Sequence, residues 1–299
     1  MNIEQELGQK LKNGIKKDEL MARHTSWLVG GPADYYLCPV GISELVEIVQ
    51  FSQKYKLPLC ILGNGTNMLV LDGGIRGLVV NIGEPFCYIK RSNGGLDAGA
   101  GTPMTFLARS SAEAGLAGLE FAVGIPGSLG GAVIMNAGAF GCYIGQVVNS
   151  IKLVTYSGNL TTLFRDELSF GYRTSNLIGK GIVVEVNLEL SKGDTAESLK
   201  KMEHFLAERR IRHPNLPSAG SVFRNLPDQP AGRIIESAGG KGLRIGGAEV
   251  SRQHANFIVN TGGASAADIL DLIRAVKELV REKHNLDLQP EIKIVGEES

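Results

Sequence analysis

The 299-residue sequence has no excess of either charge sign, because 31 Lys and Arg residues balance 31 Asp and Glu residues. Proteins that bind nucleic acid or anionic membranes through electrostatics usually carry a surplus of basic residues. Aromatic residues form only 6% of the chain and are not interleaved with basic ones, as a single-strand stacking platform would require. The sequence therefore predicts that neither nucleic acid nor a membrane is the main partner.

Cysteine is also scarce, and the four cysteines are Cys38, Cys60, Cys87 and Cys142. None belongs to a C-x-x-C pair or has a histidine nearby in the sequence, so we predict no metal site. Residues 1–20 lack the apolar core of a signal peptide, and we expect a cytoplasmic protein with reduced thiols. In the same segment an apolar residue recurs every fourth position from Leu7 to Ile15, which predicts an amphipathic surface helix.

A third absence is local, since no charged residue occurs from Phe121 to Ile151. Within this run, seven of the 25 residues at 121–145 are glycine. Such a segment could be a transmembrane helix, a tightly packed internal segment, or backbone that lies directly against a large ligand. Its proline, asparagine and glycine residues argue against the helix. The local sequence leaves the other two interpretations open.

The usual phosphate-binding fingerprints are missing too, because the chain has neither a G-x-G-x-x-G motif nor a Walker A loop. Instead, the segment Gly63–Asn67 (GNGTN) follows an apolar strand, where main-chain N–H groups can converge on a phosphate. Alone, this segment is equally consistent with a tight turn. A second glycine-rich loop at Gly124–Ala132 strengthens the ligand interpretation, because two such loops suit a pyrophosphate held from two sides.

Hydrophobic periodicity and turn residues predict an α+β fold. The predicted helices are 42–55, a helix from Thr102 to Gly115, 195–212, 231–238 and a last helix opened by a capping box at 265–268. The predicted strands are 33–39, 57–62, 78–82, 96–101, 151–156, 160–164, 182–190, 256–260 and 290–295. We divide the chain into an N-terminal helix at 1–20, a glycine-rich domain at 21–193, a smaller α/β domain at 194–288 and a closing strand with tail at 289–299.

Two segments carry a family resemblance. Leu62–Val70 and Gly124–Ala132 resemble the two FAD pyrophosphate loops of the vanillyl-alcohol-oxidase (PCMH) type of flavin domain. The segment Met135–Gly141 (MNAGAFG) narrows the resemblance to the UDP-N-acetylenolpyruvoylglucosamine reductases of bacterial peptidoglycan synthesis, and it extends from about His24 to Val295. The resemblance implies non-covalent FAD bound by Gly63, Asn64, Gly65, Thr66, Asn67, Met68, Gly124, Ile125, Gly127, Ser128, Gly130 and Ala132.

Three short motifs fit the same family: GYRTS around Arg173, SAGSVFRN around Ser221 and LQPEIK around Glu291. Taken singly, these residues suit a surface salt bridge, a turn and a solvated strand end. The resemblance implies that they are catalytic. The family reaction reduces an enolpyruvyl ether to a lactyl ether by hydride addition from reduced flavin, so negative charge develops toward the substrate carboxylate.

Each residue type suits that chemistry. The guanidinium of Arg173 matches a carboxylate in bidentate fashion. Glu291 could donate a hydrogen bond to the carboxylate if burial keeps it protonated. Ser221 would deliver the proton to the second carbon, with a relay behind it, because a free serine hydroxyl is a weak acid.

The resemblance also implies contacts to a UDP-sugar, for which Arg224, Asn225 and Lys241 are the candidates. We expect His254 to be structural rather than a catalytic base. One class of these reductases carries an inserted loop with a tyrosine that covers the substrate. Only seven residues separate Arg173 from the next predicted strand, so this chain resembles the class without that loop.

Three functions compete at this stage. The first is an FAD-dependent reductase that takes NADPH as co-substrate. The second is a binding protein that holds FAD or a UDP-sugar without turnover. The third is another flavin oxidase of the same fold, since a fold does not fix a function. Suitable residues at all three catalytic positions favour the first function, and we expect a monomer with a UDP-sugar and NADPH as its partners.

Overall fold

The computed structural model of the protein describes residues 3–298, with the side chain of Glu4 excepted. The ends of two predicted segments, residues 1 and 2 of the N-terminal helix and residue 299 of the tail, lie outside the described residues. Within residues 3–298, no helix has both the length and the apolar composition that a membrane crossing requires.

The α-helices of the described chain are α1 Ile3–Glu6, α2 Ile42–Tyr55, α3 Met104–Glu113, α4 Leu129–Ile134, α5 Thr195–Arg212, α6 Ala231–Ser237 and α7 Ala266–His284. The strands are β1 Lys16–Leu20, β2 Pro32–Leu37, β3 Leu59–Leu62, β4 Met68–Val70, β5 Ile75–Asn81, β6 Ile89–Ser92, β7 Gly95–Gly99, β8 Leu116–Ala117, β9 Gly138–Ala139, β10 Cys142–Tyr143, β11 Val148–Thr155, β12 Leu160–Phe164, β13 Phe170–Gly171, β14 Thr174–Ser175, β15 Gly181–Glu189, β16 Ser191–Lys192, β17 Arg244–Ile245, β18 Ala248–Val250, β19 Ile258–Asn260 and β20 Lys293–Val295. The α+β prediction is confirmed.

The prediction of one helix over residues 1–20 is wrong. Only Ile3–Glu6 is α-helical, and Lys16–Leu20 forms strand β1. Between them Leu11 is extended and Gly14 has φ +63°, two conformations that a continuous helix cannot contain. The apolar residues Leu7 and Leu11 are buried, as an amphipathic segment requires, but they flank a short 3-10 helix at Gly8–Lys10.

Helix α7 forms where periodicity and a side-chain cap agree. The buried residues of α7 are Ala266, Ile269, Leu272, Ile273, Val276 and Val280, which lie on one face. The hydroxyl of Ser265 accepts a hydrogen bond from the N–H of Asp268, and the Asp268 carboxylate accepts from the N–H of Ser265 in return. This is the predicted capping box. Left-handed Asn285 ends the helix.

The largest sheet has five antiparallel strands in the order β12-β11-β15-β7-β6. A four-stranded sheet has the order β1-β2-β5-β3, and β3 runs parallel to β5. A three-stranded antiparallel sheet is formed by β17-β18-β19. Strand β20 runs parallel to β4, and the pairs β9-β10, β13-β14 and β8-β16 are short antiparallel ladders.

The chain forms two compact units, each assembled from several segments. Unit 1 comprises the described residues up to Lys17, Tyr35–Asn64 and Gly77–Glu208; unit 2 comprises Asp18–Asp34, Gly65–Arg76 and the described residues from Arg209 onward. The core of unit 1 joins the buried faces of β11 and β15 to those of α2 and α3. The core of unit 2 joins α6, α7 and Phe223 to fully buried Trp27, whose indole N–H donates to the Ile258 carbonyl at 2.8 Å. The predicted boundary at 193/194 divided the chain into consecutive stretches of sequence, whereas each unit consists of three segments that are far apart in sequence.

Candidate functional site

In unit 1, the start of the first glycine-rich loop lies against the second loop. Strand β3 ends at Leu62, and the side-chain amide of Asn81 donates to the Gly63 carbonyl at 2.9 Å. A Cβ built on Gly63 would lie 2.5 Å from Oγ of Ser128. Two segments that are about 60 residues apart in sequence therefore approach each other closely, and any larger residue at position 63 would displace the Ser128 hydroxyl.

The second loop is fixed by backbone contacts around Ser128. The N–H of Met104 donates to the Gly127 carbonyl at 3.0 Å, and the N–H of Leu129 donates to the Thr102 carbonyl at 2.8 Å. The N–H of Gly130 donates to the Ala100 carbonyl at 2.8 Å, and a Cβ on Gly130 would meet the Ala100 side chain at 3.0 Å. Close packing alone accounts for a glycine at position 130, and its contact with FAD stays a prediction.

The rest of the first loop belongs to unit 2, where Gly65 is the tightest point. Gly65 has φ +61°, and a Cβ there would lie 1.9 Å from the His24 carbonyl oxygen. The N–H of Ser26 donates to the Gly65 carbonyl at 3.1 Å. The backbone at Gly65 is thus held in a left-handed conformation and is buried against residues 24–26. The neighbouring Asn64 is exposed and Thr66 is partly exposed, so these are the loop positions open to a phosphate group.

Arg173 lies at the tip of a very short hairpin in unit 1. Strands β13 and β14 pair Phe170 with Ser175 and Gly171 with Thr174, so Tyr172 and Arg173 form the turn. Arg173 itself has φ +54°, and its guanidinium carbon lies 5.4 Å from the centre of the Tyr172 ring. Strand β15 begins at Gly181, so the chain returns from Arg173 to the largest sheet within residues 174–180.

The MNAGAFG motif holds this hairpin. Asn136 is 5% exposed and has φ +44°. Its side-chain amide donates to the Gly171 carbonyl at 2.8 Å and accepts from the N–H of Gly145 at 3.0 Å. The hydroxyl of Ser175 donates to the Ile134 carbonyl at 2.8 Å. Unit 1 therefore joins residues 134–145 to both strands of the Arg173 hairpin.

Unit 2 brings the Ser221 and Glu291 segments together. The N–H of Glu291 donates to the Val222 carbonyl at 2.7 Å, and the N–H of Arg224 donates to Gln289 at 2.8 Å. Phe223 and Pro290 form an antiparallel bridge between these bonds. The first glycine-rich loop meets the same place, because the side-chain amide of Asn67 donates to the Glu291 carbonyl at 3.4 Å. The segments around Asn67, Ser221 and Glu291, which were predicted from three separate motifs, are thus neighbours in unit 2.

A buried asparagine that the sequence did not identify as functional fixes the Ser221 segment. Asn256 is 3% exposed, and its side chain accepts from the N–H of Phe223 at 2.9 Å and donates to its carbonyl at 2.8 Å. Its own carbonyl accepts from the N–H of Val222 at 2.8 Å. Nδ1 of His254 accepts from the N–H of Asn256 at 3.2 Å. His254 therefore makes the structural contact that we expected of it.

Two histidines near this segment are held neutral by burial. Burial lowers the pKa of His213 to about 4, and the positive charges of Arg209 and Arg212 act in the same direction. Burial also lowers the pKa of His254. The rings of His213 and His254 pack edge to face, with centroids 5.7 Å apart. A neutral ring can accept at Nδ1, which is what the contact to Asn256 requires.

The three predicted substrate residues have contacts within unit 2. The ammonium of Lys241 lies 2.6 Å from the Glu236 carboxylate, and both side chains are partly exposed. The side-chain oxygen of Asn225 accepts from the N–H of Ala231 at 3.0 Å, at the first residue of α6. The side chain of Arg224 is exposed. Their contact with a UDP-sugar stays a prediction.

Comparison with known proteins covers nearly all of the chain. Residues 33–163 match the model of an FAD binding domain, and residues 212–295 match that of the UDP-N-acetylenolpyruvoylglucosamine reductase C-terminal domain. The chain is 42% identical over 295 residues to the UDP-N-acetylenolpyruvoylglucosamine reductase of Desulforamulus reducens, covering 98% of this chain and 97% of the relative. It is 45% identical over 293 residues to the enzyme of that name from Moorella thermoacetica, with the same coverage.

A solved structure gives the same result. The UDP-N-acetylenolpyruvylglucosamine reductase of Thermus caldophilus superimposes with a TM-score of 0.83 at 36% identity, covering 94% of this chain and 100% of that one. The predicted flavin-binding α+β fold is confirmed by the FAD binding domain match and by this superposition.

Proposed function

The chain belongs to the family of UDP-N-acetylenolpyruvoylglucosamine reductases, and we propose that it reduces UDP-N-acetylglucosamine enolpyruvate to UDP-N-acetylmuramate with NADPH. It is an FAD-dependent oxidoreductase of peptidoglycan precursor synthesis. We further propose that it acts in the cytoplasm as a monomer. The observation that carries the proposal is the similarity at 42% identity over 98% of the chain, which includes both matched domains.

The glycine-rich loops support FAD as the bound cofactor. Glycine at 63 and 65 allows the loop to pack against Ser128 and the His24 carbonyl, and this packing leaves Asn64 exposed and Thr66 partly exposed, where a pyrophosphate would bind. When bound, FAD supplies hydride transfer from NADPH to the enolpyruvyl double bond. The protein contributes binding, orientation and charge stabilisation to that chemistry.

Arg173 stabilises the negative charge that develops toward the substrate carboxylate. Its guanidinium can form bidentate hydrogen bonds with a carboxylate. The left-handed backbone at Arg173 supports this role, because strained residues persist where the surrounding structure fixes them and cluster at functional sites.

Ser221 and Glu291 serve the protonation of the second carbon. Ser221 relays a proton to that carbon, and Glu291 in its protonated form donates a hydrogen bond to the substrate carboxylate. The backbone bond from Glu291 to Val222 supports a joint role, because it holds the two segments in fixed register. Arg224, Asn225 and Lys241 bind the UDP-sugar, and Lys241 must then exchange its exposed partner Glu236 for a phosphate.

The test is substrate-dependent oxidation of NADPH by the purified protein, with product identified by mass. We expect a yellow protein that consumes one NADPH for each UDP-N-acetylmuramate formed. Ser221→Ala should still allow NADPH to reduce the flavin, while turnover falls by about 100-fold or more. Ser218→Ala, in the same SAGS motif, is the matched control and should keep turnover near the wild-type value.

Other outcomes identify the competing functions. Protein that binds FAD and the UDP-sugar without oxidising NADPH is a binding protein. Protein that passes electrons only to oxygen is an oxidase of the same fold. Either result, or a colourless protein that takes up no FAD, overturns the proposal.

A further inference from the structure

We propose that Asn136 is a positioning residue for Arg173, which it holds through the Gly171 carbonyl. The inference rests on the proposed function, because it assigns a purpose to the Arg173 hairpin in that reaction. Asn136 lies in the MNAGAFG motif, Met135–Gly141, to which no role in the reaction has been assigned above.

The backbone of Asn136 is in the left-handed region, where its side chain is the feature that distinguishes it from glycine. At φ +44° a residue other than glycine is strained, although asparagine tolerates this region better than most. Glycine would adopt the same backbone without that cost. What asparagine adds is an amide with one acceptor and one donor group, and both are used on backbone partners.

The two bonds of Asn136 join two turns. Its oxygen accepts from the N–H of Gly145 at 3.0 Å, and its nitrogen donates to the carbonyl of Gly171 at 2.8 Å. Gly171 precedes the Tyr172-Arg173 turn, so this bond fixes the hairpin directly before its tip. Because the amide is 5% exposed, water competes little for either bond.

The hairpin needs such support. Strands β13 and β14 have two residues each, and a two-stranded hairpin is at best marginally stable alone. Its tip carries Arg173 at φ +54°, a conformation that would relax if the hairpin moved.

Residues 134–145 support both sides of the hairpin. The hydroxyl of Ser175 donates to the Ile134 carbonyl at 2.8 Å. On the other strand, the Phe170 ring packs so closely over Gly145 that a Cβ there would lie 2.5 Å from it. Asn136 is the member of this group that bonds to the residue next to the turn, so its amide sets the position from which the guanidinium reaches the substrate.

Two variants separate the side chain from the backbone. Asn136→Gly keeps the left-handed backbone and removes the amide. Asn136→Asp keeps the acceptor for Gly145 and replaces the donor to Gly171 with a second oxygen. Asn187→Ala is the control, because Asn187 is also a hydrogen-bonded asparagine of unit 1 but its amide donates to Asp97 and Ser92 instead.

Anaerobic stopped-flow kinetics should separate the two half-reactions. With both Asn136 variants we expect reoxidation of the reduced flavin by the enolpyruvyl UDP-sugar to slow by about 100-fold, the cost of a misplaced catalytic group. Reduction by NADPH should change by less than about twofold, since Arg173 acts on the other substrate. Hydrogen exchange of amides 170–176 should accelerate in Asn136→Gly and not in Asn187→Ala.

A double-mutant cycle with Arg173→Lys tests whether Asn136 acts through Arg173. If Asn136 acts through Arg173, Asn136→Gly should slow reoxidation by only about threefold in the Arg173→Lys background. The same fold-loss in both backgrounds, or equal slowing of both half-reactions, overturns the inference and leaves a general structural role. A wild-type protein whose reduced flavin is not reoxidised by this substrate would instead refute the proposed function, and the role of Arg173 with it.

Discussion

Replacing Gly65 with alanine tests whether the first glycine-rich loop holds FAD or is only a tight turn. The position has φ +61°, and a left-handed alanine costs about 1 to 2 kcal/mol by itself. The new Cβ would lie 1.9 Å from the His24 carbonyl oxygen, about 1 Å short of the 3.0 Å below which real Cβ contacts essentially do not occur. The loop must therefore shift, and the Ser26–Gly65 hydrogen bond at 3.1 Å is strained.

A shift of this size misaligns the main-chain N–H groups of the loop. Hydrogen bonds to a charged group contribute about 1.5 to 3 kcal/mol each, so loss of one weakens FAD binding by about 10- to 100-fold. Gly94→Ala is the matched control, because Gly94 has φ +79° and no atom within 4 Å of a built Cβ. It should lose about the same 1 to 2 kcal/mol of backbone stability and keep its FAD affinity.

The assay is titration of the apoprotein with FAD, followed by flavin fluorescence, together with thermal unfolding of each variant. We expect both alanine variants to melt at a lower temperature and only Gly65→Ala to bind FAD weakly. If Gly65→Ala melts at a lower temperature but binds FAD like the wild type, the loop is a tight turn and the FAD assignment of residues 63–67 is wrong.

Three further predictions concern stability in unit 2. Because burial lowers the pKa of His213 from 6.5 to about 4, the unfolded chain takes up this proton first as pH falls. The contribution of His213 to the free energy of unfolding should be complete above pH 6.5 and should fall by about 2 kcal/mol toward pH 4. Denaturant titrations at both pH values should show a smaller fall for His213→Asn. The control variant His204→Asn, at an exposed histidine, should show the same fall as the wild type. Asp72→Asn should lower stability by about 1 kcal/mol, seen as a lower melting temperature, because its carboxylate accepts from two N–H groups at the start of α7, at 2.9 and 2.8 Å. Asn256→Ala should cost about 2 to 4 kcal/mol by leaving both buried backbone groups of Phe223 unpaired, and an unchanged urea midpoint would contradict this.

Sequence periodicity predicted the long elements because each carries a local signal. Helix α2 has the predicted bounds, and α7 follows the capping box at Ser265. Strand β6, helix α4 and the two-residue strands β9 and β10 were missed, since segments this short hold too few residues to show a period.

The site was predicted in part, for a different reason. Motifs located the loops and the segments around Arg173, Ser221 and Glu291, because those residues are contiguous with recognisable neighbours. The contacts of the two asparagines that fix them could not be predicted, since Asn136 contacts Gly171 35 residues away and Asn256 contacts Phe223 33 residues away. Only the folded chain shows such pairings.

The uncharged run at 121–145 is closely packed in both of its parts, and its contact with FAD stays a prediction. Its first part, to Ala132, is closely packed loop backbone that meets Gly63 at Ser128. Its second part, from Ile134 to Gly145, supports the Arg173 hairpin through hydrogen bonds. The absence of charged residues suits both parts. Small, neutral side chains allow two backbone segments to approach closely, and no charge has to be buried beside the hydrogen-bonded amide of Asn136.

A single-turnover reaction without oxygen tests most directly whether this chain passes reducing equivalents from FAD to an enolpyruvyl sugar nucleotide. The flavin is reduced with a limiting amount of NADPH, and UDP-N-acetylglucosamine enolpyruvate is then added. We predict that the absorbance spectrum of oxidised flavin returns and that one UDP-N-acetylmuramate forms for each flavin. A flavin that stays reduced until oxygen is admitted would contradict the proposed function.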